Sequence, residues 1–255
     1  MSTSLSQVYF VSGANRGIGL ALVSAIASKH IDAFVYAGVR NPCKAVELYD
    51  LVAKHPSRIE VVEYISSDGC GNQEIADRIQ YRHGRVDVVI ANAAISKYIG
   101  PVSQIPIEEF QDHFNVNVGG PLILFQSMLP LLKQSQCPKF IPISSAAASL
   151  TAYMDIPIEY TCYGVSKAAL NWLARKIHFE NPWLICFPLS PGVVNTDMVK
   201  QNIMMDRSGA LAALQTEKEI PVETAARLAI DIINGSSREK ESGEFMSVDG
   251  TRISW

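Results

Sequence analysis

Short apolar runs alternate with longer amphipathic stretches along most of the chain. Several short runs are apolar almost throughout, as in Val88-Val89-Ile90, which is typical of strands covered on both faces. The pattern predicts strands over residues 8–12, 33–39, 59–65, 86–91, 139–144, 184–189 and 244–248, and helices over residues 17–29, 43–54, 72–82, 108–133, 162–180 and 222–234. Because such alternation indicates a parallel sheet with right-handed crossovers, we expect one doubly wound α/β domain over residues 1–255, with about seven strands and helices on both faces.

Two segments do not fit this alternation, residues 149–161 and residues 198–218. Ligands of open α/β sheets bind beyond the carboxyl ends of the strands, so segments inserted there can cover a substrate. Both segments are rich in Met, Ile, Leu and Tyr, which suits an apolar substrate. We therefore predict that they are substrate-covering segments; the alternative is that each is an ordinary surface loop.

Composition and charge restrict the partners of the protein. The chain has 255 residues, 48% of them hydrophobic, and a formal net charge of −3, so it has no excess of basic residues that would favour nucleic acid. No stretch approaches the ~20 apolar residues that span a bilayer, and no basic region followed by an apolar one opens the sequence. We expect neither a nucleic-acid nor a membrane partner, and no secretory signal.

The cysteines and histidines carry little chemistry of their own. The five cysteines are odd in number and form no C-x-x-C pair, which indicates free thiols in a reducing compartment and predicts a cytoplasmic protein. The five histidines are scattered, so we expect no metal site.

A glycine-rich loop follows the first predicted strand and precedes the first predicted helix. Its glycines allow a tight turn and a close approach of the backbone to a pyrophosphate, and the helix N-terminus offers free N–H groups. Three glycines alone are a weak signal, but this position at the start of a Rossmann fold makes it strong. The predicted cofactor-binding residues of the loop are Gly13, Asn15, Arg16, Gly17, Ile18 and Gly19.

The end of the second predicted strand indicates which dinucleotide binds. A cofactor without a 2′-phosphate is usually held there by an acidic residue, but the segment Ala37-Gly38-Val39-Arg40-Asn41 contains none. Arg40 can pair with a 2′-phosphate and Arg16 can flank it, unless both are simply solvated surface residues. We therefore predict NADP(H) as the cofactor.

Several motifs occur together in one order, and with them the sequence resembles the short-chain dehydrogenase/reductase family over nearly its whole length. After the glycine loop these motifs are Asn92-Ala93-Ala94, Asn117 within Phe114–Gly119, Ile143-Ser144-Ser145, Tyr163-Gly164-Val165-Ser166-Lys167 and Pro191-Gly192-Val193-Val194-Asn195-Thr196. Ala94 departs from the glycine that usually ends its motif. Within the family the chain resembles fungal ketoreductases of the norsolorinic acid ketoreductase type, through residues 175–184 and the final Ser254-Trp255.

The resemblance implies a role for each motif. Ser145, Tyr163, Lys167 and Asn117 would form the catalytic group, with Asn117 holding a water. Asn92, Val194 and Thr196 would contact the cofactor, as would Tyr163 and Lys167. The acid that usually follows the third strand is absent, and either Ser66 or Asp68 would contact the adenine instead.

Tyr163 and Lys167 also stand out physically. They are four residues apart and share one face of a helix with an apolar stripe, and a lysine is rarely buried without a partner. Bringing a tyrosine pKa from about 10 to near 7 requires roughly 4 kcal/mol. A unit charge about 4 Å away supplies about that much at an effective dielectric of ~20. We therefore expect Lys167 to lower the pKa of Tyr163; the alternative is a lysine that extends out of a core stripe beside a packing tyrosine.

These features predict an NADPH-dependent ketoreductase that acts on a bulky aromatic or polyketide-derived ketone in secondary metabolism, with Tyr163 as the proton donor. Two alternatives remain: a dinucleotide-binding sensor or scaffold without turnover, and an NADP-dependent alcohol dehydrogenase that works in the oxidative direction. The resemblance also implies a homo-oligomer, a dimer or tetramer, formed through the long helices after strands four and five.

Overall fold

Ten strands and nine helices are found in residues 7–255, which are the residues that the computed structural model describes. The strands are β1 (Val8–Ser12), β2 (Phe34–Val39), β3 (Ile59–Glu63), β4 (Val88–Ala91), β5 (Lys139–Pro142), β6 (Ile185–Cys186), β7 (Leu189–Ser190), β8 (Val193–Val194), β9 (Glu219–Ile220) and β10 (Met246–Ser247). The helices are α1 (Gly17–Lys29), α2 (Val46–Lys54), α3 (Gly69–His83), α4 (Ile107–Phe114), α5 (Gly120–Leu132), α6 (Thr161–Glu180), α7 (Asp197–Met205), α8 (Ala210–Lys218) and α9 (Val222–Gly235). The expectation about a secretory signal concerns residues that lie largely outside this range.

Six parallel strands form the main sheet in the order β3-β2-β1-β4-β5-β6. The order reverses direction at β1, where the chain crosses from one half of the sheet to the other. The register places Val11 opposite Ile90, and Ile90 opposite Ile141, so β1, β4 and β5 end at the same edge. This arrangement confirms the predicted doubly wound fold.

Side chains alternate between two apolar layers, one on each face of the sheet. Tyr9 and Val11 of β1 pack in the layer that α1 and α9 cover, whereas Val8 and Phe10 pack in the layer that α3, α5 and α6 cover. Residues of β1, β2, β4 and β5 are buried along their whole length. This double covering explains why their sequences are apolar runs rather than alternating ones.

The predicted strand 184–189 is divided into β6 and β7 because Pro188 lies between them. Proline has no N–H to donate, so it interrupts the ladder of hydrogen bonds. A parallel bridge from Ile143 to Leu189 and the pairing of β7 with β10 continue the strand order at that edge. The seventh predicted strand is therefore present as β10, but it is two residues long and lies outside the six-stranded sheet.

The predicted helix 108–133 is divided by a π-helical turn over Asn115–Gly119, between α4 and α5. Pro121 follows this turn and has no N–H with which to bond the Asn117 carbonyl in an α-helix. Local π-helical turns of this kind occur most often at functional sites. The prediction of one helix is confirmed, because the backbone stays helical from Ile107 to Leu132, but the π-helical turn within it was not predicted.

The two segments outside the alternation differ from each other. Residues 149–160 form bends and turns without a helix or strand, whereas residues 198–218 are mostly helical, in α7 and α8. Thr196 caps α7 by accepting a hydrogen bond from the Val199 N–H at 3.3 Å, and Gly209, with φ +72°, separates the two helices. No helix within residues 7–255 is long and apolar enough to cross a membrane.

Candidate active site

The glycine loop packs so tightly that its glycines cannot carry side chains. Gly13 and Gly17 have φ values of +68° and +55°, in the left-handed region that favours glycine. A Cβ at Gly19 would lie 2.1 Å from the Gly13 carbonyl oxygen, and one at Gly13 would lie 3.0 Å from the Ala93 Cα. No side chain caps the start of α1, so its first N–H groups remain free to bind an anion. These residues fit a dinucleotide pyrophosphate.

Asn92 holds this loop against the end of β4. Its Nδ2 donates to the Ser12 and Gly13 carbonyls, at 2.9 Å and 3.3 Å. Its backbone N–H and that of Ala93 both donate to the Ser12 hydroxyl at 3.0 Å. Asn92 is predicted to contact the cofactor, and in the structure its Nδ2 holds the loop that would carry the pyrophosphate.

The two predicted cations differ in their surroundings. Arg16 pairs with Asp197, at the start of α7, with 3.0 Å between Nη1 and Oδ2 and both side chains more than half exposed. Arg40 is exposed at the end of β2, and no carboxylate among the described residues forms an ion pair with it. Of the two predicted cations, Arg40 is therefore the uncommitted one.

The first turns of α6 bring Tyr163 and Lys167 to the end of β5. Lys167 is 2% exposed, and its Nζ donates to the Ile143 carbonyl at 2.7 Å and lies 5.6 Å from the centre of the Tyr163 ring. The Ser145 side chain lies close enough to the Tyr163 hydroxyl to act on its pKa. A Cβ at Gly164 would lie 3.0 Å from the Ala147 carbonyl, so glycine permits this close approach. Ser145, Tyr163 and Lys167, predicted from two motifs, lie together.

Burial shifts the two ionisable groups in opposite directions. Loss of water raises the pKa of Tyr163 to about 12, although the Ser145 side chain acts against this rise. Loss of water also lowers the pKa of Lys167 to about 7. The expectation that Lys167 lowers the pKa of Tyr163 to near 7 is wrong for the protein on its own. A lysine that is readily deprotonated supplies too little charge to offset desolvation of the phenolate.

Asn117 is fully buried in the π-helical turn, and its side chain has no free hydrogen-bonding group. Oδ1 accepts from the Ile95 N–H at 2.8 Å, while Nδ2 donates to the Ile95 carbonyl at 2.9 Å and to the Ser166 hydroxyl at 3.0 Å. This amide ties the segment after β4 to α6, one residue from Lys167. Any water at Asn117 must therefore be held by its backbone carbonyl, which Pro121 deprives of an α-helical partner.

The remaining predicted residues are mostly committed to local structure. Asp68 caps α3, with its Oδ1 accepting from the Gly71 N–H at 3.1 Å, so Ser66 is the freer of the two residues proposed for the adenine. Val194 is buried in β8, and the Thr196 methyl would lie 3.5 Å from a Cβ at Gly17. The segment before α7 therefore approaches the glycine loop, as expected for residues that contact the same cofactor.

Sequence reasoning missed a polar cluster beside Tyr163. The ring centres of Tyr160 and Tyr163 are 5.5 Å apart. Asn202, 1% exposed in α7, donates from Nδ2 to the Tyr160 hydroxyl at 2.6 Å and to the Ser96 hydroxyl at 3.0 Å. Burial raises the pKa of Tyr160, and the nearby Tyr163 adds to this rise. The position of Tyr160, three residues before Tyr163, could have suggested it; nothing in the sequence singles out Asn202.

The sheet, the glycine loop at its edge and the polar group on α6 define a dinucleotide-binding α/β oxidoreductase. The family model for short chain dehydrogenase matches residues 7–206, and the chain belongs to that family. This match confirms the resemblance seen in the motifs. Residues 7–255 contain no group of three or more His, Cys, Asp or Glu side chains placed to hold a metal.

Curated relatives narrow the comparison to fungal enzymes. The chain is 36% identical to norsolorinic acid ketoreductase of Aspergillus parasiticus, over 97% of this chain and 91% of that protein. It is 34% identical to norsolorinic acid ketoreductase of Dothistroma septosporum, over 97% of this chain and 92% of the relative. The solved structure of an NADPH-bound carbonyl reductase from chicken fatty liver matches with a TM-score of 0.85 at 26% identity, over 98% of this chain and 99% of that one.

Proposed function

We propose that the protein is an NADPH-dependent ketoreductase that reduces the carbonyl group of a bulky aromatic or polyketide-derived ketone, with Tyr163 as the proton donor. One observation carries the proposal: Ser145, Tyr163 and the buried Lys167 lie together at the end of β5, two strands from the glycine loop at the same sheet edge. The similarity to the norsolorinic acid ketoreductases supports the substrate class and a place in secondary metabolism.

The dinucleotide binds with its pyrophosphate on the glycine loop, where Gly17, Ile18 and Gly19 begin α1. Arg40 pairs with the 2′-phosphate, because it is exposed at the end of β2 and no acid occupies that position. For Arg16 to contact the 2′-phosphate as well, it would have to leave its ion pair with Asp197. Asn15 flanks the loop, Val194 and Thr196 close over the nicotinamide side, and Ser66 contacts the adenine. The similar carbonyl reductase that is bound to NADPH supports this choice.

The chain supplies the proton and the charge that the reduction requires. When bound, the reduced nicotinamide supplies the hydrogen and the electron pair that the carbonyl carbon receives. The Ser145 oxygen accepts from the Ala147 N–H at 3.3 Å, which orients the hydroxyl. With substrate present, the Ser145 hydroxyl turns from Tyr163 and donates its hydrogen to the carbonyl oxygen of the substrate. The Tyr163 hydroxyl gives its proton to that same oxygen as negative charge develops there.

Lys167 and Asn117 complete the proton path. Protonated Lys167 stabilises the Tyr163 phenolate that remains, and binding of an anionic dinucleotide nearby favours that charged form. The water that restores the proton is held by the Asn117 backbone carbonyl, because its side-chain amide is fully bonded.

The raised pKa of Tyr163 fits a proton donor. A phenol whose pKa is raised to about 12 is protonated throughout the neutral range in the protein without ligand. In the oxidative direction the same side chain would act as the base, so this pKa does not separate the two directions. The preference for NADP(H) that Arg40 indicates favours reduction.

The two segments outside the regular alternation, 149–161 and 198–218, cover the substrate. Large apolar side chains in them are exposed: Leu150 and Met154 precede α6, and Met204 lies in α7. Exposed apolar side chains close to the polar catalytic group suit a substrate with an extended apolar body. We propose that these segments belong to the single domain that extends over the whole chain. The cytoplasmic location of the protein remains a prediction.

A homo-oligomer, a dimer or tetramer, is also part of the proposal. Val165, Trp172 and Phe179 follow one another at seven-residue spacing along α6, and all three are exposed, Trp172 by 68%. Leu122 of α5 is exposed as well. Aromatic side chains exposed along one helix face suit contact with a second copy of the chain.

Consumption of NADPH in the presence of a panel of aromatic ketones and diketones tests the proposed function. We expect wild-type protein to oxidise NADPH with at least one aromatic ketone, and NADH far more slowly. Binding of NADPH without turnover across the panel would indicate the sensor instead.

Arg40→Asp tests the cofactor assignment in the same assay. We expect NADPH binding to weaken at least tenfold while NADH binding changes little, since only NADPH carries the 2′-phosphate. Lys133→Asp, an identical change of charge at an exposed residue after α5, is the control and should alter neither. Equal weakening of both cofactors in Arg40→Asp would remove the 2′-phosphate assignment.

A further inference from the structure

Asn202 is the most deeply buried polar residue of α7, and only half of its amide is used. Nδ2 donates both of its hydrogens, one to the Tyr160 hydroxyl and one to the Ser96 hydroxyl. Oδ1 is buried and has no hydrogen-bond donor among the described residues. A buried acceptor without a donor is unfavourable, and native proteins tolerate few of them. Such an atom calls for a specific explanation.

The side chains around Asn202 supply no donor to Oδ1 among the described residues. The Tyr160 and Ser96 hydroxyls accept the two Nδ2 hydrogens, and neither forms a hydrogen bond with Oδ1. Asp206, the charged residue that follows α7, is an acceptor, and its oxygens take hydrogen bonds from Ser208 and Leu211. The donor must therefore come from outside this cluster.

The position of Asn202 connects it to the proposed reaction. Tyr160, which its amide holds in place, lies with its ring 5.5 Å from that of Tyr163. Asn202 thus lies one side chain away from the proposed proton donor, on a helix of the segment proposed to cover the substrate. Asn72 of α3 also has a buried, unpartnered Oδ1. Its Nδ2 donates to the Ile65 carbonyl, so Asn72 is not part of the polar network that holds Asn202 and Tyr160.

The helix that carries Asn202 can adjust to a ligand. Its first residue is held to the glycine loop by the exposed Arg16–Asp197 ion pair, and exposed pairs of this kind contribute little to stability. Met204, two residues after Asn202, is exposed to solvent. The first turn of α7 is therefore held weakly to the glycine loop, which leaves room for a small shift when a ligand approaches Oδ1.

We propose that Asn202 is a specificity-determining residue whose Oδ1 accepts a hydrogen bond from a hydroxyl group on the ring of the substrate, while Tyr160 lies against that ring. This inference rests on the proposed function and adds to it: the preferred ketones are hydroxylated aromatic ketones. A site built to bond a hydroxyl discriminates strongly against an analogue that lacks it, because the buried acceptor is then left unpaired.

The test uses two naphthyl methyl ketones that differ by one ring hydroxyl. The hydroxyl is placed beyond hydrogen-bonding reach of the ketone, so that it remains free to donate. The ratio of the two kcat/KM values is measured with NADPH for wild-type protein, Asn202→Leu, Asn202→Asp and Asn72→Leu. Leucine has a similar size without the amide, whereas aspartate keeps an acceptor at Oδ1.

We expect wild-type protein to favour the hydroxylated ketone at least tenfold, mainly through KM. Asn202→Leu should bring the ratio close to one while the unsubstituted ketone is still reduced. Asn202→Asp should retain the preference, and so should Asn72→Leu, which makes the same change at another buried asparagine. NADPH binding and the thermal unfolding temperature of each variant show whether it is folded.

The outcomes separate this inference from the proposed function. If wild-type protein reduces neither these ketones nor any of the wider panel, the proposed function fails. If it reduces the two equally, or if Asn202→Leu keeps the preference, the proposed function stands and the role of Asn202 is refuted. A loss of preference in Asn72→Leu as well would assign the effect to general loosening of the protein and would also refute it.

Discussion

Tyr163 is partly buried beside the fully buried Lys167, and this shared environment sets how each can act. Burial keeps the phenol protonated and brings the ammonium close to its point of deprotonation, with pKa values of about 12 and about 7. In the protein without ligand, Tyr163 is therefore a proton donor, and the charge of the neighbouring Lys167 depends on what binds nearby. A lysine in water, with a pKa near 10.4, would carry its charge whether or not a ligand was present.

The low pKa of Lys167 predicts a pH dependence of stability. Between pH 7 and about 10.4 this lysine is neutral in the folded protein but protonated in the unfolded chain. The unfolded state then binds more protons, so the free energy of unfolding rises with pH, by at most about 1.4 kcal/mol per pH unit. Urea unfolding of wild-type protein and Lys167→Met at pH 7, 8 and 9 measures this: wild-type protein should gain stability relative to the variant as pH rises.

The Lys167→Met variant is also the control, because every other titrating group is common to both proteins. A constant difference between the two unfolding free energies from pH 7 to 9 would mean that Lys167 stays charged in the folded state. That result would contradict the desolvation of the site.

At the residue scale, the sequence predicted Tyr163 and Lys167 through the family motif that contains them. Their spacing added that both lie on the helix face that carries an apolar stripe. It could not predict the direction of their pKa shifts, since burial depends on what packs around α6 from distant parts of the chain. The hydrogen bonds of Asn202 could not be predicted for the same reason, because its partners, Ser96 and Tyr160, are far from it in sequence.

At the scale of elements, the unit formed by β1, the glycine loop and α1 is the most tightly constrained part of the site. Its geometry depends on an absent side chain at Gly19, on the left-handed backbone at Gly13 and Gly17, and on the amide of Asn92. The loop is therefore fixed before any ligand binds. Preorganised N–H groups are what a pyrophosphate site requires.

Gly19→Ala tests this constraint. Its Cβ would lie 2.1 Å from the Gly13 carbonyl oxygen, so the loop must move away from α1. We expect NADPH binding to weaken at least tenfold and stability to fall by about 1–3 kcal/mol, the usual effect of overpacking. Fluorescence titration with NADPH and urea unfolding provide the two measurements.

Gly69→Ala is the matched control for Gly19→Ala. Gly69 begins α3, and a Cβ there would have no heavy atom within 4 Å. This variant should bind NADPH as wild-type protein does and be equally or slightly more stable. Unimpaired NADPH binding by Gly19→Ala would show that the loop does not carry the dinucleotide.

Prolines account for most of the differences between predicted and observed elements. Pro188 divides the predicted strand 184–189, and Pro121 follows the π-helical turn that interrupts the predicted helix 108–133. Both were visible in the sequence, because proline lacks the N–H that a ladder or helix requires. The helices α7 and α8 were also marked, by a capping Thr196 and by Gly209 between them.

At the scale of the whole molecule, the alternation of apolar and amphipathic stretches was enough to predict the doubly wound sheet. The strands β1, β2, β4 and β5 are covered on both faces, so their positions can be recognised from apolar runs in the sequence. Which apolar side chains are exposed on the surface is harder to predict from the sequence. Trp172 and Phe179 on α6 belong to the amphipathic pattern of that helix, yet they face away from the core.

This exposed face of α6 predicts the behaviour of the protein in solution. Trp172→Glu places a charge in the middle of the face formed by Val165, Trp172 and Phe179, and a buried unpaired charge disfavours association. We expect wild-type protein to sediment as a dimer or tetramer and the variant as a monomer at the same concentration. Sedimentation velocity measures both.

Trp183→Glu is a suitable control, because Trp183 lies beyond the end of α6 and is only 37% exposed. It should leave the oligomer intact. A wild-type protein that sediments as a monomer, or a Trp172→Glu variant that remains associated, would contradict the assignment of this face.

The central claim is that the Tyr163 hydroxyl delivers the proton of a carbonyl reduction, and a single-turnover measurement with Tyr163→Phe tests it most directly. Enzyme loaded with NADPH is mixed rapidly with an aromatic ketone, and loss of NADPH absorbance is followed for wild-type protein, Tyr163→Phe and, as a control, Tyr81→Phe, whose side chain is exposed on α3. We predict that Tyr163→Phe binds NADPH normally but reacts about 10²–10⁴-fold more slowly, while Tyr81→Phe matches wild-type protein. A Tyr163→Phe variant that binds NADPH and reduces the ketone at the wild-type rate would contradict the account.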